Sequence, residues 1–149
     1  MFHKSWYQYL QVLTFTASFW MTVRNLQILL FFPDAAETIL CDFDHLDQSI
    51  SITDADYCCV MTRGHAYDTI VQAQLLATPA CYIGVIGSLA KRAGVFHRLV
   101  EEYGIDEREL DRIITPVGLN IKAETPAEIA ISITGQMIQV RAERKAAMK

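Results

Sequence analysis

Apolar positions along this chain change rhythm near Pro33. From there on, short apolar runs alternate with amphipathic ones, the pattern of an α/β layer. "ETILCDF", residues 37–43, reads as a short strand, and residues 57–62 give a clearer one after the turn-forming Asp54 and Asp56. Over residues 68–77, Ile70, Val71, Ala73, Gln74 and Leu75 keep a stripe at helical spacing, which predicts a helix. "ACYIGVIG", residues 80–87, is a near-continuous apolar run of the kind buried on both faces in parallel sheets. Its glycines introduce a helix over 88–103, in which Leu89, Phe96, Leu99 and Val100 share a face and Lys91, Arg92, Arg98, Glu101 and Glu102 stay in water; Gly104 ends it. "DERELDRI" predicts a short helix and "TPVGLNIKAE" a loop. "TPAE" then announces the last helix, with Thr125 as N-cap, Pro126 in its first position and Glu128 completing a capping box. Strand, helix, strand, helix in this order implies right-handed parallel crossovers. The expected fold class is α/β, a Rossmann-like parallel sheet flanked by helices.

Residues 1–32 have a different texture. They hold nine of the 15 aromatic residues, Trp6 and Trp20 among them, and only two formal charges, Lys4 and Arg24. A spanning helix needs about 20 uninterrupted apolar residues, and Gln8, Gln11, Arg24, Asn25 and Gln27 break every candidate window. A secretory leader needs a basic start, an apolar middle and a small-residue cleavage site. Lys4 and residues 9–23 imitate the first two, but no cleavage site follows. The stretch therefore reads as neither anchor nor leader. It is set apart as residues 1–32, ahead of a domain over residues 33–149.

Composition narrows the function. The 149 residues, 52% hydrophobic and 20% charged, suffice for one globular domain with a real core. A formal net charge of −4 leaves no electrostatic footprint for nucleic acid. Cys41, Cys58, Cys59 and Cys81 sit in apolar, strand-like runs without CxxC or Cys/His metal spacing, as buried thiols of a reducing, cytoplasmic protein do. No metal site is expected.

Candidate chemistry collects where strands end and helices begin. In "YIGVIGSLAK", Gly84 and Gly87 permit a tight turn and close backbone approach, Ser88 offers a hydroxyl, the free N–H groups of the helix start favour an anion, and Lys91 adds a point charge one turn in. Glycines that only turn a corner, with Lys91 in solvent, explain the same residues equally well. The run is neither a Walker loop nor a complete G-x-G-x-x-G. In "MTRGHAYD", Thr62, Arg63, Gly64 and His65 fall on the loop after a strand, at the edge where open α/β sheets bind ligands. His65 and Asp68 are three apart and able to pair across one turn, although capping accounts for them more simply. Gly118 and Lys122 in the last loop could close a pocket from the other side, or merely feed a well-capped helix. Two other classes share this layout. One is an NAD(P)-dependent oxidoreductase domain, for which the dinucleotide fingerprint and ribose-binding acid are missing. The other is an interaction module docking through the last helix and its basic tail "RAERKAAMK".

"VMTRGHAYD", "YIGVIGSLAKR" and "PVGLNIKAETPAEIAISI", in this order and spacing, resemble the carboxyl-terminal Rossmann domain of the xanthine dehydrogenase accessory proteins, the XdhC family, from about Pro33 to Arg144. The resemblance implies maturation rather than metabolite turnover: binding the molybdenum cofactor (molybdopterin), favouring its sulfuration or selenium loading, and delivering it to a molybdenum hydroxylase client. It implies a nucleotide as a further ligand, a cysteine desulfurase as a further partner, and a homo-oligomer with no membrane or nucleic-acid role. Gly84, Gly87, Ser88 and Lys91 would then take a pterin or nucleotide phosphate, Thr62, Gly64, His65 and Asp68 would line the neighbouring rim, and Gly118 would close it.

Three departures stand out. The cysteine-bearing amino-terminal domain of full-length relatives has no counterpart in these residues, and Gln136 stands where the family usually places an acid. The family's "GGGH"-like turn and "DDRPEF"-like second-strand motif are also missing from residues 1–32. Codons exist for Trp20 to Gln27 that, read from the third base, give D-D-R-P-E-F-A, and Phe31–Phe32 can be encoded by a slippery homopolymer. Residues 1–32 are thus expected to be an out-of-frame reading of the first β-α-β segment, which the coding sequence would decide, and the product a frameshifted one of low activity.

Overall fold

In a computed structural model of the chain, the described residues are 18–21, 37–61 and 65–149. They fall into two compact units, one of Phe43–Val117 and one of Met1–Asp42 with Gly118–Lys149.

The Phe43–Val117 unit carries a three-stranded parallel sheet in the order β3-β4-β5, with β3 at Tyr57–Val60, β4 at Tyr82–Val85 and β5 at Ile113–Ile114. β4 is central: Cys58 is in register with Ile83 on one side, and Ile83 with Ile113 on the other. All four β4 residues are buried, as the unbroken apolar run predicts. Helix α1, His65–Leu76, follows β3, and helix α2, Leu89–Glu101, follows β4. α1 packs against β3, α2 and two short 3-10 segments, Leu46–Gln48 and Glu107–Arg112. Leu75, Tyr82, Ile83 and Leu99 are the largest apolar side chains fully enclosed in this core.

Polar side chains tie the unit's turns to its helices. Gln74 accepts the Leu46 N–H at 2.8 Å and donates to the Phe43 carbonyl at 2.7 Å, so the residue read as part of an apolar stripe is a bracket for the chain ahead of β3. Arg112 donates to the carbonyls of Leu76 and Thr78 at 2.7 Å each, and to Ala80 at 3.4 Å. Carbonyls orphaned by the end of α1 are thereby satisfied. Gly104, at φ +65°, reverses the chain after α2 and lets the Ile105 N–H return to the Leu99 carbonyl at 3.1 Å.

The second unit pairs β1, Ser18–Met21, in parallel with β2, Glu37–Leu40, and contains the long helix α3, Pro126–Ala147. The capping box at Thr125 and Glu128 forms as expected, and Ala130, Ser132, Ile133, Thr134 and Met137 are buried. β1 lies inside the segment set apart by its texture, for which no strand was expected. The rest of residues 1–32 lies outside the described residues, and with it the expectation of an out-of-frame segment.

Two substitutions probe this packing. The Thr69 hydroxyl is buried without a hydrogen-bond partner among the described residues, so Thr69→Val, which keeps the shape and removes the orphaned group, should stabilise the protein by about 1 kcal/mol and raise the melting temperature by a few degrees. A lower melting temperature would show that the hydroxyl is satisfied in solution. Gly84→Ala should destabilise by about 1–3 kcal/mol in the same calorimetric scan, because a Cβ there would stand 2.5 Å from Val117 Cγ2 and 2.7 Å from the Tyr82 ring.

Candidate functional site at the carboxyl ends of the strands

Parallel α/β sheets present ligands to the loops leaving the carboxyl ends of their strands. After β4 the Ile86 N–H still bonds the Val60 carbonyl at 3.0 Å, so β3 and β4 run on together before the chain turns. Residues 86 to 91 are all exposed. Ser88 is the N-cap of α2, in extended geometry, and its hydroxyl accepts the Lys91 N–H at 3.4 Å while its carbonyl accepts those of Lys91 and Arg92. The amides of Leu89 and Ala90 have no acceptor among the described residues, which leaves donors and the positive end of α2 facing outward. Ile86 and Leu89 flank them with unusual apolar exposure, 40% and 66%.

The two glycines of this stretch differ. Gly84 lies within β4 and is buried; Tyr82 and Val117 occupy the space a side chain would need. Packing accounts for Gly84 without any ligand. Gly87 lies at the surface, and among the described residues a Cβ there would meet only Thr115 Oγ1, at 3.4 Å. Among the described residues no packing contact requires a glycine at 87.

After β3, Thr62, Arg63 and Gly64 lie outside the described residues, as does the His65 side chain, so the expected His65–Asp68 pairing does too. His65 is the first residue of α1, and Asp68 stands in its first turn, partly buried, where its charge suits the helix start. Helix α1 begins three residues earlier than the apolar stripe alone indicates.

Gly118 belongs to the other unit. Its φ of +101° is a conformation glycine tolerates, and a Cβ would strike Ser132 Oγ. Gln136 holds it with both ends of its carboxamide: Oε1 accepts the Gly118 N–H at 2.9 Å, and Nε2 donates to the Gly118 carbonyl at 3.2 Å. A carboxylate at 136 could accept but not donate. Gln136 is thus a positioning residue for the loop, a role that its place on α3 did not reveal. Lys122, also in this loop, adopts φ +59° and is exposed.

No disulfide joins the four cysteines. Cys58 is pushed up to about 12, by burial first and then by the nearby Asp56 and Cys81. Burial, with Cys58 adding to it, also raises Cys59, and burial raises the Tyr82 phenol. Among the described residues no group of three His, Cys, Asp or Glu could hold a metal ion, and no helix is long and apolar enough to cross a membrane.

A sequence profile of the XdhC Rossmann domain matches residues 4–137. The chain belongs to the XdhC Rossmann-domain family. The match begins ahead of Pro33 and so runs through most of the segment that its texture set apart. A crystal structure of a xanthine dehydrogenase from Bacillus halodurans shares the fold with a TM-score of 0.83 and 29% identity, over 99% of this chain and 43% of that one. The uncharacterized protein YqeB of Escherichia coli K12 is 38% identical over 68 residues, 46% of this chain and 12% of that protein. The chain spans less than half the length of either. In XdhC terms, the β4–α2 turn is the exposed strand-end turn of the Rossmann domain.

Burial of the Cys58 and Cys59 thiols and the Tyr82 phenol contributes to the pH dependence of stability in this XdhC domain at alkaline pH. An unfolded cysteine ionises near about 8.5, so above that pH the unfolded chain loses protons that folded Cys58 and Cys59 retain. The stability they contribute is complete at neutral pH and is lost as pH rises toward 12. Melting temperature should fall steadily between about pH 9 and 11, and iodoacetamide should label these two thiols at pH 8.5 only after denaturation. Rapid labelling of Cys58 in the native protein would contradict its burial.

Proposed function

We propose that this XdhC domain holds the molybdenum cofactor for a molybdenum hydroxylase of the xanthine dehydrogenase type during that enzyme's maturation. Family membership supports the role. The observation that carries the site is the surface turn 86–91, where the Leu89 and Ala90 amides that lack an acceptor among the described residues, the open backbone at Gly87 and Lys91 lie together beside exposed Ile86 and Leu89. These residues suit such a ligand. The Leu89 and Ala90 amides and Lys91 would take its phosphate, the open backbone at Gly87 would admit it closely, and Ile86 and Leu89 would cover the flat pterin. The cofactor supplies the metal centre that the client uses; the residues here bind, orient and shield it. Cys58 and Cys59 stay protonated at neutral pH, so sulfur or selenium would reach the cofactor from a partner such as a cysteine desulfurase rather than through these thiols. Thr62, Gly64, His65 and Asp68 would form the neighbouring rim.

Anaerobic calorimetric titration with molybdenum cofactor, alongside NAD⁺, tests this reading. The cofactor should bind and NAD⁺ should not. Lys91→Gln should weaken binding about fivefold, the scale of one exposed charge contact. Gly87→Ala should weaken it further with an unchanged melting temperature. NAD⁺ binding without cofactor binding would favour an oxidoreductase domain, and cofactor affinity indifferent to both substitutions would place the ligand elsewhere.

A further inference from the structure

A concave surface lies in the Phe43–Val117 unit and shares no residue with the strand-end turn. It is a groove of about 300 Å³ between α2 and the 3-10 segment Glu107–Arg112. Phe96, Val100 and Leu110 give it apolar lining. Arg92 and His97 line it from α2, and Glu107 and Asp111 from the 3-10 segment.

The charges around this groove are not spent on one another. The ion pairs of the described residues join Arg108 to Asp106 and Arg112 to Glu109; none joins Arg92 or His97 to Glu107 or Asp111. Arg92 instead lays its guanidinium over the Phe96 ring, with Cζ 4.7 Å from the centroid. Stacking of this kind restrains the planar group and leaves its edge N–H donors available to a carboxylate. The neighbouring 3-10 segment contributes two carboxylates, Glu107 and Asp111, that no cation among the described residues pairs.

This arrangement sorts ligands by charge. An anion attracted by Arg92 meets repulsion from Glu107 and Asp111, and a bare cation meets the reverse. A molecule carrying both charges, joined to an apolar body, answers both sides and the lining together. The volume is at the low end for ligand sites, about the size for one small molecule. We propose that this groove binds a free α-amino acid with an apolar or aromatic side chain, its carboxylate toward Arg92 and His97, its ammonium toward Glu107 and Asp111, and its side chain on Phe96, Val100 and Leu110.

Three probes dissect the proposal on the full chain, followed by amide chemical shifts and calorimetry: L-phenylalanine, phenylacetate without the ammonium, and phenethylamine without the carboxylate. L-Phenylalanine should bind saturably at millimolar concentration or better, with shifts centred on Phe96, His97 and Leu110, and each half-probe should bind at least about fivefold more weakly. Arg92→Gln should weaken L-phenylalanine and phenylacetate and spare phenethylamine. Asp111→Asn combined with Glu107→Gln should weaken L-phenylalanine and phenethylamine and spare phenylacetate. The exposure of Glu107 and Asp111 and the surface position of Arg92 make intact folding the expectation, checked by an unchanged thermal melt. Absence of saturable binding, equal affinity for the three probes, or substitutions that affect all three alike would each overturn the proposal.

Discussion

The Phe43–Val117 unit depends on a missing side chain at the middle of its sheet. Gly84 is the third residue of β4, and the space beside it is filled by the Tyr82 ring and Val117. Tyr82 is itself 2% exposed and lies 5.8 Å from the Tyr57 ring on the paired strand. An aromatic side chain folded over a glycine on the same face seals a gap that the glycine would otherwise leave in the sheet. The Val117 N–H also bonds the Val85 carbonyl at 3.1 Å, so the chain leaving β5 is fastened to β4 just beyond the glycine. The position of the β4–α2 turn follows from this close packing, since the turn begins at the next residue.

Around that centre, long polar side chains govern the loops by answering backbone groups. Arg112 gathers three carbonyls at the end of α1, Gln74 brackets the Phe43–Leu46 turn, and in the other unit Gln136 clasps both polar atoms of the Gly118 backbone. Each replaces water as the partner of a group that burial would otherwise leave unsatisfied, a loss of about 1–3 kcal/mol per group. Such residues look functional in a sequence because they are polar within apolar surroundings. Their chemistry here is structural. The turn at 86–91 is the contrasting case, with donors that no side chain answers among the described residues.

What the sequence made legible was local. The buried run of β4, the Gly104 stop of α2 and the capping box of α3 are written in contiguous residues, and all appear where the pattern places them, whereas Ser88 caps α2 instead of opening it. The features that were missed depend on distant partners. β5 is two residues long, too short for any periodicity, and exists because Ile83 and Gly84 pair with it. "DERELDRI" forms a 3-10 helix rather than an α-helix, in a segment whose Arg112 must reach the carbonyls after α1. Gln74 passed as part of an apolar stripe because its partners lie about 30 positions away. β1 was hidden by the aromatic texture of its segment, and its pairing with β2 is again a non-local fact.

The same distinction bears on the two glycines that together suggested a phosphate-binding turn. Spacing treats them as equivalent, since each frees the backbone. Their surroundings separate them: Gly84 is surrounded by side chains that require its size, whereas at Gly87 the nearest atom to a substituent is the Thr115 hydroxyl oxygen, at ordinary contact distance. A glycine needed for packing carries no information about a ligand, because loss of the fold would remove any activity with it. At Gly87, at the mouth of a helix whose first amides lack acceptors among the described residues, no packing contact of those residues accounts for the glycine. The case for a bound anion at this strand end therefore rests on Gly87 and the α2 amides, with Gly84 holding the strand that presents them.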